Sequence, residues 1–284
     1  MNISYLCQSY PPMVSGAAVI AEQIAEAMVS RGHSILVFCA SDKGKAYSKV
    51  TDNYQLIRLH AYHNPLRVDQ HFSIWGRGRI RDELKRFQTH IMHLHDILSF
   101  GASALKAAKD LKIPVIATIH QLPHIISPYL DQSNLVQHSI KEGLWIYGNW
   151  ILNQCERIIA PSEYVAQKLN AHINQSSSVI SNGVDLNIFK PDPSIENERD
   201  ALCKKYGLNP LLPIILHVGR LDKEKYVDIV IRASAAVMQQ IKVQLLVVGD
   251  GCDREKLEIL CKDLGIARRC HFPGFIGDNL SDLI

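Results

Sequence analysis

The sequence predicts an α/β protein made of two parallel-sheet domains. Short apolar runs of strand length alternate with stretches whose apolar residues recur at helical spacing. That βαβα rhythm favours a parallel sheet with helices on both faces. The rhythm breaks once, at residues 186–200 (LNIFKPDPSIENERD), which are rich in proline and acid and poor in apolar surface, and then resumes. We read this stretch as a linker between a domain at 1–195 and a second at 196–284. A chain of 284 residues suits two such domains and buries about 75% of its unfolded surface without disulfide or metal.

In chain order, Ile3–Cys7 is a strand followed by a Pro-Pro-Met-Val-Ser-Gly loop. Ala17–Arg31 is a helix with apolar positions at 20, 24, 27 and 28, stopped by Gly32. Strands at Ser34–Cys39 and Tyr54–His60, a helix at Gly78–Phe87 and a strand at Ile91–His95 follow. Phe100–Leu111 is helix, Pro114–Ile119 a strand buried on both faces, and Leu135–Leu152 a long amphipathic helix. Arg157–Ala160, a helix from Ser162 and Ser178–Ser181 complete the first series. The second runs through Ile214–Val218, a helix at Tyr226–Gln239, Val243–Val248, a helix at Arg254–Leu264 and Arg269–Phe272.

Composition excludes several classes. Apolar residues are 47% and charged residues 21%, ordinary globular usage, and the formal charge of +3 is too small for a general nucleic-acid binder. No apolar run reaches the roughly 18 residues of a spanning helix, and the N-terminus does not read as a signal peptide. The seven cysteines include no Cys-x-x-Cys and read as reduced, mostly buried thiols of a cytoplasmic protein. No Walker sequence occurs.

In open α/β sheets ligands sit beyond the carboxyl ends of the strands, so the loops there are where chemistry is expected. Gly16 opens a helix whose free N–H groups suit a phosphate or a sugar oxygen, although Ser15-Gly16 also reads as a plain cap. In HVGRLDKEK, Gly219 lets the backbone turn close to a ligand. Arg220 and Lys225 suit a diphosphate, unless Asp222 and Glu224 simply neutralise them. VVGDG at 247–251 fails as a dinucleotide fingerprint but suits a tight loop. His93 and His95 share a strand face, with no third metal ligand close in sequence. His120 ends the buried strand PVIATI, where it could bond a sugar hydroxyl or serve as an ordinary core histidine. The basic run at 76–87 reads as a solvated helix face that could touch anionic headgroups. Trp145, Tyr147 and Trp150 read as core packing, with a membrane-facing helix as the sharper alternative.

Taken together, these segments resemble the retaining GT-B glycosyltransferases of the family-four group (group 1 type glycosyltransferases). PPMVSGAAVIAEQIAEAMVSRGH is similar to that family's opening loop, helix and Arg-Gly-His. HLHDILSFGASALKAAKDLKIPVIATIHQLP is similar to its middle strand–helix–strand. IIAPSEYVAQKL and VISNGVDLNIFKP match its domain-closing sequence. HVGRLDKEKYVDIVIRA, LLVVGDG and HFPGFIG match the first half of its nucleotide-sugar domain.

The resemblance implies two Rossmann-like domains facing a cleft, the second incomplete, and transfer of a sugar from a nucleotide-diphosphate sugar with retention. It implies no cofactor and no metal. Gly16 would lie near the donor diphosphate and sugar, and His120 near the sugar hydroxyls. Gly219, Arg220 and Lys225 would hold and stabilise the leaving diphosphate, with the backbone at Phe275 and Ile276 edging the base. IHQLPHIISPYL is similar to members that act on membrane lipids, so the acceptor would be a lipid or a polysaccharide, reached from the cytoplasm or at the face of the cytoplasmic membrane. Ser15-Gly16 replaces the family's common Gly-Gly, and Tyr226 its common Asn. The family's pair of glutamates seven residues apart lies beyond Ile284. The expectation is therefore a truncated chain, inactive as it stands. A noncatalytic fragment that binds acceptor or partner and a sugar-nucleotide epimerase are the alternatives.

Overall fold

In a computed structural model the chain is described over residues 1–13, 15–51, 54–64, 71–98, 100–122, 134–186, 189 and 195–276. It divides into two compact units, Met1–Asn182 and Gly183–Ile284.

The amino-terminal unit contains strands β1 (Asn2–Cys7), β2 (Ser34–Ala40), β3 (Tyr47–Val50), β4 (Gln55–Leu59), β5 (Tyr62–His63), β6 (His71–Phe72), β7 (Ile91–Leu94), β8 (Val115–Thr118), β9 (Arg157–Ala160) and β10 (Ser178–Val179). Its helices are α1 (Gly16–Ser30), α2 (Arg77–Arg86), α3 (Gly101–Asp110), α4 (Asn134–Leu152) and α5 (Glu163–Asn170). Eight strands form one sheet in the order β10-β9-β8-β7-β1-β2-β4-β3, and β5 pairs with β6 alone. Every pair in the large sheet is parallel except β3 with β4.

The strands are apolar on both sides because both faces are covered. On β2, Leu36 and Phe38 enter one core with residues of α2 and α3, while Ile35, Val37 and Cys39 enter the other beneath α1. Helix α1 buries Ala18, Ala21 and Ala25, not the larger residues of the expected 20/24/27/28 stripe. Alanines bring the helix backbone close to the sheet, and Ile24 and Met28 pack at the flank. Ser15 caps this helix, its Oγ accepting from the Ala18 N–H at 3.1 Å.

The carboxyl-terminal unit contains α6 (Ile195–Tyr206), β11 (Ile214–Val218), α7 (Val227–Gln240), β12 (Gln244–Val248), α8 (Arg254–Asp263) and β13 (Cys270–Gly274). The three strands are parallel in the order β11-β12-β13. β12 is buried throughout, whereas β11 is half-buried and ends in the exposed Val218. Helix α6 corrects the linker reading over 195–200: with a charged, weakly amphipathic sequence it still forms a helix, and its Cys203 joins Leu208, Leu246 and Val248 in a small core.

The basic run at 76–87 is a solvated face. Arg77 pairs with Asp110 at 2.8 Å, Arg81 with Asp82 and Arg86 with Glu83. On α4, Tyr147 and Trp145 pack against the main core, and Trp145 also stacks on His172 with centroids 3.9 Å apart. Trp150 is partly exposed beneath Lys106, and Ile146 is exposed. No helix among the described residues is long and apolar enough to cross a membrane. Most of IHQLPHIISPYL lies outside the described residues.

Candidate functional site

Each unit gathers polar residues at the carboxyl ends of its central strands. In the amino-terminal unit, Gly16 begins α1, exposed, and a Cβ there would meet nothing within 4 Å. The Ser15 cap takes the N–H of Ala18, while the N–H groups of Gly16 and Ala17 have no acceptor within the helix.

The loop before Gly16 is held from below by Arg58 of β4, which is 1% exposed. Its guanidinium donates to the carbonyls of Ala40 at 3.1 Å, Tyr10 at 3.5 Å and Pro11. Its Nε lies 3.3 Å from Asp42. Burial alone would lift the Asp42 carboxyl. The Tyr47 hydroxyl, donating at 2.6 Å, and the Arg58 charge outweigh this and hold it below its ordinary value. Sequence reasoning passed over Arg58. Its one signal was a charge inside an otherwise apolar strand, QLIRL.

His120 follows β8 and is half-buried. It belongs to a stack: His93 and His95 have ring centroids 4.1 Å apart, His95 and His120 lie 5.4 Å apart and nearly parallel, and Tyr5 of β1 meets both His93 and His95 edge-on. His93 Nε2 lies 2.8 Å from Thr118 Oγ1, and His95 Nδ1 lies 3.1 Å from His120 Nε2. Burial depresses all three imidazoles, His93 to about 3 and His95 well below its ordinary value, with neighbouring histidines adding to the shift for those two. They are neutral rings in a stack. Among the described residues no group of three His, Cys, Asp or Glu is placed to hold a metal ion.

In the carboxyl-terminal unit, the loops after β11, β12 and β13 are stitched together. Gly219 N–H donates to Val248 O at 3.0 Å, Leu221 N–H to Asp250 O at 2.9 Å and Gly249 N–H to Gly274 O at 2.9 Å. The packing is so close that a Cβ on Gly249 would lie 1.9 Å from Gly219 O, and one on Gly251 2.5 Å from Leu221 O. Gly249 also adopts φ +131°, open to glycine and strained for other residues.

Arg220 is pinned by two carboxylates, Nη1 to Asp222 and Nη2 to Glu224, both at 2.5 Å. The neutralisation weighed from the sequence therefore occurs for Arg220, which keeps three of its five N–H donors for another partner. No side-chain partner is found for the Lys225 ammonium among the described residues. Its charge reaches His217 at the end of β11, where burial first and Lys225 second lower the imidazole pKa. Phe275 is exposed, whereas the Ile276 side chain packs into the small core with Leu246 and Val248. The expected contact is through the backbone of both residues, which this side-chain placement leaves untouched.

Doubly covered parallel sheets with polar loops at the carboxyl ends of the strands define an open α/β fold, and solved structures give its class. The chain superposes on sucrose-phosphate synthase from Thermosynechococcus elongatus with TM-score 0.71 at 18% identity, covering 97% of this chain and 70% of that one. A glycosyltransferase from Rickettsia africae gives 0.70 at 18% identity, covering 99% and 69%. The fold is that of GT-B glycosyltransferases. The sequence profile of Glycosyltransferase Family 4 matches residues 14–188 and that of Glycosyl transferases group 1 matches residues 198–284, so the chain belongs to Glycosyltransferase Family 4. The alpha-monoglucosyldiacylglycerol synthase of Streptococcus pneumoniae is 28% identical over 280 residues, 97% of this chain and 62% of that protein. A GDP-mannose-dependent alpha-mannosyltransferase of Mycolicibacterium smegmatis is 24% identical, over 91% of this chain and 65% of its own length.

Proposed function

We propose that this protein transfers a sugar from a nucleotide-diphosphate sugar to a lipid or glycan acceptor, with retention of configuration. The observation that carries the reading is the stitched loop of the carboxyl-terminal unit. It sets Lys225 and an oriented Arg220 at the carboxyl end of β11 in a chain of this family.

A leaving nucleoside diphosphate gains negative charge as the sugar bond breaks, and fixed cations at its oxygens stabilise that charge without reorganising. Asp222 and Glu224 fix the Arg220 fork in advance, and Lys225 supplies positive charge with no ion-pair partner among the described residues. With Lys225 supplying the charge and Arg220 supplying directed N–H donors, the reading needs no metal. The Gly219 backbone turns beside the phosphates, and the N–H groups of Gly16 and Ala17 receive sugar or phosphate oxygens. His120, neutral, donates to a sugar hydroxyl, and Phe275 flanks the base. A lipid acceptor agrees with the relative named as a diacylglycerol glucoside synthase. Exposed Ile146 and Trp150 on α4, with Lys106 beside the latter, suit contact with a membrane surface on the cytoplasmic side.

The test is titration calorimetry of the chain with uridine and guanosine diphosphates, beside turnover assays with the matching sugar nucleotides in a version extended through the glutamate pair that the resemblance implies. Lys225→Ala is expected to weaken diphosphate binding roughly ten- to a hundredfold with an unchanged melting temperature. His120→Ala is expected to lower sugar transfer more than diphosphate binding, because its partner is the sugar. Normal diphosphate binding by Lys225→Ala would remove the clamp. Equal losses in both measurements for His120→Ala would make it a structural residue.

A further inference from the structure

His95 is 4% exposed and makes one side-chain hydrogen bond, from Nδ1 to His120 Nε2. Its Nε2 is buried and has no partner among the described residues. Two imidazoles sharing one bond must divide the roles, one donating and one accepting. A neutral imidazole carries a single N–H.

The orphaned nitrogen decides which ring donates. If His120 donated through Nε2–H, His95 would accept at Nδ1 and hold its own proton on Nε2. That would leave a buried N–H with nothing to receive it, the rarer and costlier of the two kinds of orphan. If His95 donates through Nδ1–H, its unpaired Nε2 is only a bare lone pair. His120 then accepts at Nε2, and its own proton is confined to Nδ1. The low basicity of the buried rings removes the third arrangement, in which one of them is an imidazolium.

We infer that His95 is a positioning residue that sets the tautomer and ring orientation of His120, so that His120 always presents an Nδ1–H donor. This rests on the reading of His120 as a partner of the donor sugar and deepens it. A histidine in solution exchanges between tautomers and offers a given nitrogen as donor only part of the time. One fixed as the Nδ1–H form discriminates in favour of an acceptor oxygen at that nitrogen, such as a sugar hydroxyl. The stack fixes the plane as well. His95 is wedged between His93 and His120 and edged by Tyr5, so its Nδ1 cannot turn away without disturbing β1 and β7.

The experiment reads the tautomer directly, in the protein free of any sugar nucleotide. Protein labelled with ¹⁵N at histidine is recorded in long-range ¹H–¹⁵N correlation spectra, with His120→Gln used for assignment. His120 is expected with its proton on Nδ1 and an unprotonated Nε2. A proton on His120 Nε2 overturns the proposal outright, with no mutation of His95 required. His95→Asn places an amide N–H where Nδ1 was and is expected to keep the His120 tautomer. His95→Leu and His95→Gln lack a donor there, and are expected to give a mixture of tautomers and roughly five- to tenfold lower sugar transfer with little change in diphosphate binding. A His120 signal that is the same in all three variants overturns the proposal. If the tautomer behaves as expected but His120→Ala transfers sugar normally, the placement of His120 at the donor sugar fails while the role of His95 stands.

Discussion

The buried histidines make the amino-terminal unit sensitive to mild acid, and the size of the effect follows from the shift at His93. In the unfolded chain this imidazole titrates near 6.5, and in the folded unit burial lowers it to about 3. Between those values the unfolded state binds a proton that the folded state refuses, so stability falls as pH falls. The slope is about 1.4 kcal/mol per pH unit for each such group. By pH 5 His93 alone removes about 2 kcal/mol, and His95, whose imidazole burial also lowers, adds to the loss in the same direction. Even about 2 kcal/mol is a sizeable part of the roughly 5–15 kcal/mol that holds a typical domain together. The chain reports on this unit selectively, because all three tryptophans, Trp75, Trp145 and Trp150, lie within Met1–Asn182. Urea unfolding followed by tryptophan fluorescence at pH 7, 6 and 5 should show a stability that declines well above the range where carboxylates titrate. In His93→Gln, which keeps a donor near Thr118, the slope should fall by about one proton. A flat profile from pH 7 to 5, or an unchanged slope in His93→Gln, would refute the assignment of neutral buried rings.

Two further outcomes are expected. Gly249→Ala should open the stitched loops at a cost of about 3–5 kcal/mol, combining the strained φ with loss of the neighbouring backbone bonds. Amides of β11 and β12 should then exchange faster while the tryptophan transition stays put, and unaltered exchange there would contradict the close packing. Arg58→Met should destabilise the amino-terminal unit by about 3 kcal/mol, since it strips Asp42 of its buried partner and three carbonyls of their donor. A loss below about 1 kcal/mol would show that the loop before Gly16 does not depend on the guanidinium.

Much of the fold was legible because its punctuation is strong. Arg157–Ala160 and Ile214–Val218 were read to the residue, and β1, β2, β7, β8 and β12 within one or two, since each is an apolar run bounded by Gly, Pro or polar turns. Strand β3 (Tyr47–Val50) was missed because an exposed antiparallel edge carries no apolar alternation. Helix α6 was missed because its acids and preceding prolines look like a linker, and tertiary packing of Cys203 and Tyr206 gives it a buried side. Candidate positions that depend on where a strand ends, such as Gly16, His120 and Gly219, could be proposed from the sequence. Relations between them could not. The bond between His95 and His120 spans 25 positions and exists only through the parallel pairing of β7 with β8. The grip of Asp222 and Glu224 on Arg220 was one of two open arrangements until the loop conformation chose it.

The fusion of the loops at Gly219 and Gly249 bears on how this half of the protein can change length. Two backbones in contact, with no room for a single carbon between them, move as one piece. An added residue in either loop would have to displace the other, along with the side chains they carry. The opposite end of the sheet has no such constraint: the turn at Ile241 and Lys242, leading into β12, is exposed. A peptide tag, a fluorescent label or a whole inserted domain belongs at that turn, where it can be accommodated without reaching the carboxyl ends of the strands.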